Sequence, residues 1–377
     1  MYLSKEEEKL LDSDNKTIAK LMEILVALGK IYNAERLIPI FSSHISGISY
    51  QNIGDEGLEW LESLDARVVV KTSVNPAGMD LLRWKKMVDE EFYLKQIRII
   101  NALKKLGADI TLTCTPYYIY EIEYGMHLAW AESSAIVYAN SVVGARTNRE
   151  SGVSALASAI IGKTPFYGLH IKSNRAPNVL VKAGNLDPSA LGFKLGRMLR
   201  HDQIPIFRFK RRLSNDELKL LGASLAATGN VAIFHVENQT PEWKDFETPN
   251  EKIEIDEVEM ENDCDPDLIA LGCPHLSKDE LLQVLKLLER EGKRVKKKFW
   301  LFTSREVAIK NKRLIEKIES FNVEVFCDTC MVVSPVTEKY ECVMVNSGKA
   351  LAYLPKLRHV NAKFGNLEEC VKVALGN

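Results

Sequence analysis

The stretch "DLIALGCPHLSKDE" (267–280) carries an apolar run into Gly272 and Cys273, then switches to a helix signal in which Ser277 and Glu280 stand at capping-box spacing. The same change of pattern recurs downstream. "KKFWLFT" (297–303) leads to a helix expected to begin near Thr303 with Glu306, and "VEVF" (323–326) leads into "CDTC" (327–330). Strand and helix alternating at these spacings suit right-handed crossover units and a parallel sheet, which makes the fold class α/β. Sheets of that kind place function on the loops after the carboxyl ends of their strands. Cys273 and Cys330 both occupy such loops, and Cys114 ends another alternating run, "ADITLTCTPYY" (108–118).

The upstream sequence alternates in the same way. A helical stretch over 4–29 opens with Ser4 and Glu7 in capping-box spacing, and "ARVVVKT" (66–72) reads as a strand before the loop "NPAGMD" (75–80). A helix then runs to Gly107, and "AESSAIVYANSVVG" (131–144) reads as a buried small-residue helix ending in the turn "GARTNRE". A further helix is expected at 214–228 and a strand at "NVAIFHV" (230–236). The composition turns acidic over 241–267, so three regions are expected. They are N-terminal α/β units over 1–240, an acidic connection over 241–267, and a C-terminal unit over 268–377.

Composition narrows the function classes. With 377 residues, 46% apolar, 27% charged and a formal charge of −1, the chain has room for a large core and no global field to attract nucleic acid or an anionic membrane. The basic runs near 207–212 and 292–298 read as solvated faces or partner contacts. The N-terminus is charged, and no segment reaches the ~18 uninterrupted apolar residues a spanning helix needs, so a cytoplasmic protein is expected. Seven cysteines, an odd number in such a chain, argue against a disulfide framework. Three readings of Cys114, Cys273 and Cys330 stay open on the residues alone: an iron–sulfur cluster, zinc, or unligated buried thiols. Cys264 lies in the acidic connection, while Cys342 and Cys370 read as packed, inert thiols.

Several polar stretches could meet an anion. The amides around Gly47 in "SSHISGISYQN" (42–52) could cradle a carboxylate or phosphate, or form a structural turn. Arg146 and Arg149 sit in a glycine-bounded turn, and Lys349 follows a strand-end glycine in "NSGKA" (346–350) with no Walker pattern. His44, His127, His170 and His275 are not spaced as metal ligands and read as packing residues.

Taken in order, "SSHISG", "NPAGMD", "LTCTPY", "AWAESSAIVYANSVVGARTNRE", "GCPHLS" and "DTCMVVSP" resemble the large subunit of the aconitase X family over essentially the whole chain. The resemblance implies a non-redox hydro-lyase with an aconitase-like catalytic body of three α/β units. It implies a cluster on Cys114, Cys273 and Cys330, with Cys327 in reserve, of the [4Fe-4S] type and less readily [2Fe-2S]. The swivelling domain is absent before Asn377, so a small partner subunit completing a heterodimer is expected, with the catalytic base on it. By motif, Gly47, Ile48, Ser49, Asn75, Pro76, Asn140 and Ser141 are expected against the substrate, with Arg146, Thr147 and Lys349 as anion contacts. Family activities divide between dehydration of (R)-5-phosphomevalonate in an archaeal route to isoprenoids, favoured here, and dehydration of cis-3-hydroxy-L-proline. Two non-enzyme readings remain: a cluster-bearing RNA-binding regulator, and a zinc-stabilised structural subunit.

Overall fold

The computed structural model describes residues 1–260 and 264–376. Its last strand-rich region bears out the crossover pattern. The strand Leu268–Leu276 is buried along its whole length and lies at the centre of a five-stranded sheet. On one side it pairs in parallel with Lys298–Thr303, which pairs in turn with Glu324–Phe326. On the other it pairs with Cys342–Val345 and, beyond that, Asn361–Phe364. Successive side chains alternate faces: Leu268 and Ala270 enter one hydrophobic core, Ile269 and Leu271 the other. Burial on both faces is why the run reads as continuously apolar.

The register slips between Leu271 and Leu276. Gly272 stands there with φ +112°, and a Cβ on it would lie 2.2 Å from the Phe302 carbonyl oxygen. No other residue fits so close an approach, and Cys273, expected in a loop after the strand, lies inside it at this irregularity. Ser277 and Glu280 then form the expected capping box of the helix Lys278–Glu291.

Two further parallel sheets precede this one. In the first, Ser42–Ile45 lies between Lys71–Val74 and Leu128–Trp130. In the second, the order is His235–Val236, Pro205–Arg208, Val179–Ala183 and Lys252–Ile255, all parallel. Among the described residues no helix is long and apolar enough to cross a membrane.

Local readings differ from the structure where a side chain replaces a backbone partner. The stretch 4–29 is two helices, Lys5–Leu11 and Lys16–Ile31, because the Asn15 side chain accepts from the amides of Thr17 and Ile18 and starts the second. Ser304, not Thr303, caps the helix Arg305–Lys310. The segment 108–113 is an irregular edge, not a strand. The Thr111 hydroxyl makes the ladder bonds to the amide and carbonyl of Val74, and Leu112 adopts φ 45°. The acidic stretch holds an edge strand, Lys252–Ile255, whose charges suit an exposed sheet edge. Cys264 and Cys342 form a disulfide, which overturns the expectation of a chain without one. Asp267 is hydrogen-bonded to the Cys342 backbone, and this pairing brings the two cysteines together across 78 residues.

Candidate active site

Strand ends from the first and third sheets meet around one cavity of about 310 Å³. Gly47 and Ile48 follow Ser42–Ile45, Asn75 and Pro76 follow Lys71–Val74, and Glu132 and Ser133 follow Leu128–Trp130. From the third sheet come Cys273, Cys330 and Lys349, and the irregular edge adds Cys114. Ile48, Val332, Val333, Tyr353 and Leu357 supply an apolar wall. Gly47 takes φ +76° in open space, so its role is to turn the backbone and not to make room.

Lys349 lies in the first turn of the helix Gly348–Leu357, where a cation opposes the helix dipole. Glu132 compensates it: the Lys349 ammonium is paired with Glu132 Oε1 and donates to the Ser134 hydroxyl at 3.1 Å. Burial alone would raise the Glu132 carboxyl, but Lys349 and the Ser134 amide hold it down to about 2. Asn75 Nδ2 donates to Glu132 Oε2 at 3.0 Å, and Asn75 Oδ1 accepts from His44 Nε2 at 3.3 Å. Burial lowers His44 to about 4, so the ring is neutral and its Nδ1 accepts from the Ser73 hydroxyl at 2.8 Å. The result is a buried chain from His44 through Asn75 and Glu132 to an ammonium at the cavity. Among the described residues, two of the three Lys349 donors are used, by Glu132 and Ser134, and the ammonium lies 6.0 Å from the Tyr353 ring centre.

The three thiols are buried. Burial pushes Cys114 up to about 12. Cys330 is drawn below its ordinary value by the neighbouring Cys273 thiol and by the amides of Val333 and Val332. The three line one cavity, and among the described residues no group of three or more His, Cys, Asp or Glu side chains is placed to hold a metal ion. Cysteine thiolates are the ligands of iron–sulfur clusters, so the donor set fits such a cluster by its chemistry.

Family models for the first, second and third domains of aconitase X match residues 1–173, 177–265 and 266–376. The chain belongs to the aconitase X family. It is 49% identical to the phosphomevalonate dehydratase large subunit of Methanosarcina mazei, over 100% of this chain and 98% of that protein. It is 30% identical to the cis-3-hydroxy-L-proline dehydratase of Pseudomonas aeruginosa, over 98% of this chain but 69% of that protein. The crystal structure of Thermococcus kodakaraensis aconitase X in its holo-form superposes with a TM-score of 0.91 at 39% identity, covering 99% of this chain and 100% of that one.

In this aconitase X chain the cavity brings together Gly47, Ile48, Asn75, Pro76, Lys349, Cys114, Cys273 and Cys330. It does not bring in the other residues singled out by motif. Ser49 precedes the helix Tyr50–Ser63 and donates to the Val333 carbonyl at 3.4 Å. Asn140 is saturated by Thr147, by Ala232 and by the buried Arg175, itself paired with Glu242. Ser141 accepts from the Phe234 amide, and the Thr147 hydroxyl serves Trp130 and Asn148. Arg146 donates to the His170 carbonyl at 3.2 Å. Of these groups, Asn140 and Ser141 fasten the first unit to the second through Ala232 and Phe234. Cys327 is off the lining too, its amide donating to Asp80 Oδ2 in an ion cluster with Arg305 and Asp328. Glu132 escaped the sequence reading, although an acid directly after a strand and before a small-residue helix is a visible signal.

Proposed function

We propose that this chain is the large, catalytic subunit of a dehydratase that converts (R)-5-phosphomevalonate to trans-anhydromevalonate 5-phosphate, as a step of an archaeal mevalonate pathway to isoprenoids. The observation that carries the reading is the convergence of Cys114, Cys273 and Cys330 with a buried Lys349–Glu132 pair on one cavity. Full-length similarity to a large subunit named for this reaction supports it, against partial coverage of the hydroxyproline enzyme.

Dehydration beside a carboxylate removes a poor leaving group and a weakly acidic proton, so it needs an electrophile on oxygen and a base on carbon. A [4Fe-4S] cluster on Cys114, Cys273 and Cys330 supplies, when bound, Lewis acidity toward the departing oxygen. The chain's own residues bind and orient. Lys349 offers its remaining donor to a substrate carboxylate, held in place by Glu132 and Ser134. The apolar wall of Ile48, Val332 and Val333 receives the hydrocarbon part and excludes water. Glu132 is a counter-ion and not the base: the Lys349 ammonium, the Ser134 amide and the Asn75 amide group saturate it, and its carboxyl stays ionised and weakly basic. The base is assigned to a small swivelling-domain subunit that closes the cavity in a cytoplasmic heterodimer.

The test is an assay of the anaerobically reconstituted pair, and of the large subunit alone, on both substrates. Turnover of phosphomevalonate by the pair only is expected. Turnover of cis-3-hydroxy-L-proline instead, or turnover by the large subunit alone, would overturn the reading.

A further inference from the structure

The residue that touches all three cysteine-bearing loops is His275. It is buried to 1% exposure in the strand Leu268–Leu276, and each of its four polar atoms has a partner outside that strand. Its backbone amide donates to Cys114 Sγ at 3.3 Å. Its carbonyl accepts from the ammonium of Lys219, 3.3 Å away on the helix Asn215–Gly229 of the second unit. Ring Nε2 lies 2.8 Å from the Thr329 carbonyl oxygen, which can only accept, so Nε2 carries a proton. Ring Nδ1 lies 3.0 Å from the Thr113 hydroxyl.

These partners are the immediate neighbours of the thiols. Thr113 precedes Cys114, and its hydroxyl is also bonded to the amide and hydroxyl of Thr115, so both flanks of Cys114 enter the same network. Thr329 precedes Cys330, and His275 itself follows Cys273 by one proline. A rigid ring that binds on opposite sides therefore spans from the Cys114 loop of the first unit to the Cys330 loop of the third, while its own backbone continues to Cys273. The network is buried, so a removed ring leaves the Thr329 carbonyl without its ring partner and the Thr113 hydroxyl held by Thr115 alone.

We propose that His275 is a positioning residue that sets the separation of the three cysteine loops, so that the thiol triangle is formed before iron enters. The amide-to-sulfur bond adds a second effect, because hydrogen bonds to cluster sulfurs set cluster properties. The proposal rests on Cys114, Cys273 and Cys330 being the cluster ligands, and its test separates the two ideas.

Full-length wild type, His275→Ala, His275→Gln and Thr113→Val are prepared anaerobically. In the iron-free form the alkylation rate of each thiol by iodoacetamide is mapped by peptide mass, and in the loaded form the half-time of iron loss to a chelator is measured. For His275→Ala, alkylation of Cys114 and Cys330 should rise at least about ten-fold and iron loss should quicken roughly ten- to hundred-fold. The buried Cys370, which lies in a separate core, should keep its wild-type rate. His275→Gln, able to restore the bond to Thr329, should fall between, and Thr113→Val should expose Cys114 more than Cys330. Unchanged rates in His275→Ala, or a parallel rise at Cys370, would overturn the proposal by showing no effect or a general loosening. Should His275→Ala fail to fold, Thr113→Val decides, and wild-type alkylation of Cys114 in it refutes the proposal. A wild-type chain that binds no iron would sink the cluster reading, while the alkylation rates would still judge His275.

Discussion

Replacing Lys349 with Met keeps the length of the side chain and removes the charge that holds Glu132 ionised. A carboxyl drawn from 4.5 to about 2 carries about 3 kcal/mol of preference for its charged form, and the side chains are only 7% and 12% exposed, so little of that is screened. Removing one partner of such a buried pair costs about 3–5 kcal/mol. Because the folded carboxyl is depressed below its unfolded value, the wild-type contribution is fully present above about pH 4.5 and is lost as the pH falls toward 2. In Lys349→Met burial is opposed only by the hydrogen bonds from the Ser134 amide and the Asn75 amide group, so the carboxyl should rise, the sign reverse and the variant gain stability as the pH drops below neutral. Urea denaturation of the iron-free chain at pH 7 and pH 5 reads both effects. The double variant Lys349→Met with Glu132→Gln should recover most of the loss, since no buried charge is left unpaired. A single variant within about 1 kcal/mol of wild type at pH 7, or a double variant no better than the single, would refute this account of the pair.

Iron and acid-labile sulfide per chain should fall in Cys114→Ala, Cys273→Ala and Cys330→Ala and persist in Cys327→Ala and Cys370→Ala; retention in any of the first three would remove it from the ligand set. Gly272→Ala forces a Cβ against the Phe302 carbonyl at a positive φ, so a loss of more than about 1 kcal/mol on unfolding and a drop in iron content are expected, both read on one preparation. Arg146→Ala should lower the melting temperature and leave KM unchanged, because its guanidinium reaches the His170 carbonyl and not the cavity; a marked rise in KM would place it at the substrate after all. Lys349→Ala in the reconstituted pair should lower kcat/KM, with iron content preserved.

The parts of the site that lie on one short stretch were readable from that stretch. The three cavity thiols were singled out because each ends an apolar run in the sequence, although only Cys330 follows a completed strand, and the loops Gly47–Ile48 and Asn75–Pro76 carry local turn residues. The capping boxes at Ser4 and Ser277 are equally local and appear as expected. What depends on pairing across the chain was hidden. Asn140 and Thr147 look like free polar groups until Arg175 and Ala232 come in to saturate them. The Cys264–Cys342 disulfide and the edge strand Lys252–Ile255 arise from neighbours far away in sequence, behind an acidic composition that suggested only a connection. Glu132 has its meaning only once Lys349, more than two hundred residues on, is placed beside it.

One of the cavity thiols belongs to the first unit and two to the third, and nothing covalent among the described residues fixes the distance between them. The cluster proposed for these thiols would be a gauge of docking across that seam: the brown colour of a loaded protein would report whether two bodies of the chain are seated on each other. Bleaching under mild heat or dilute denaturant, ahead of any change in far-ultraviolet dichroism, would then record the seam opening while each body stays folded. With the proposed cluster in place, the absorbance of a purified sample would measure its architecture as well as its iron.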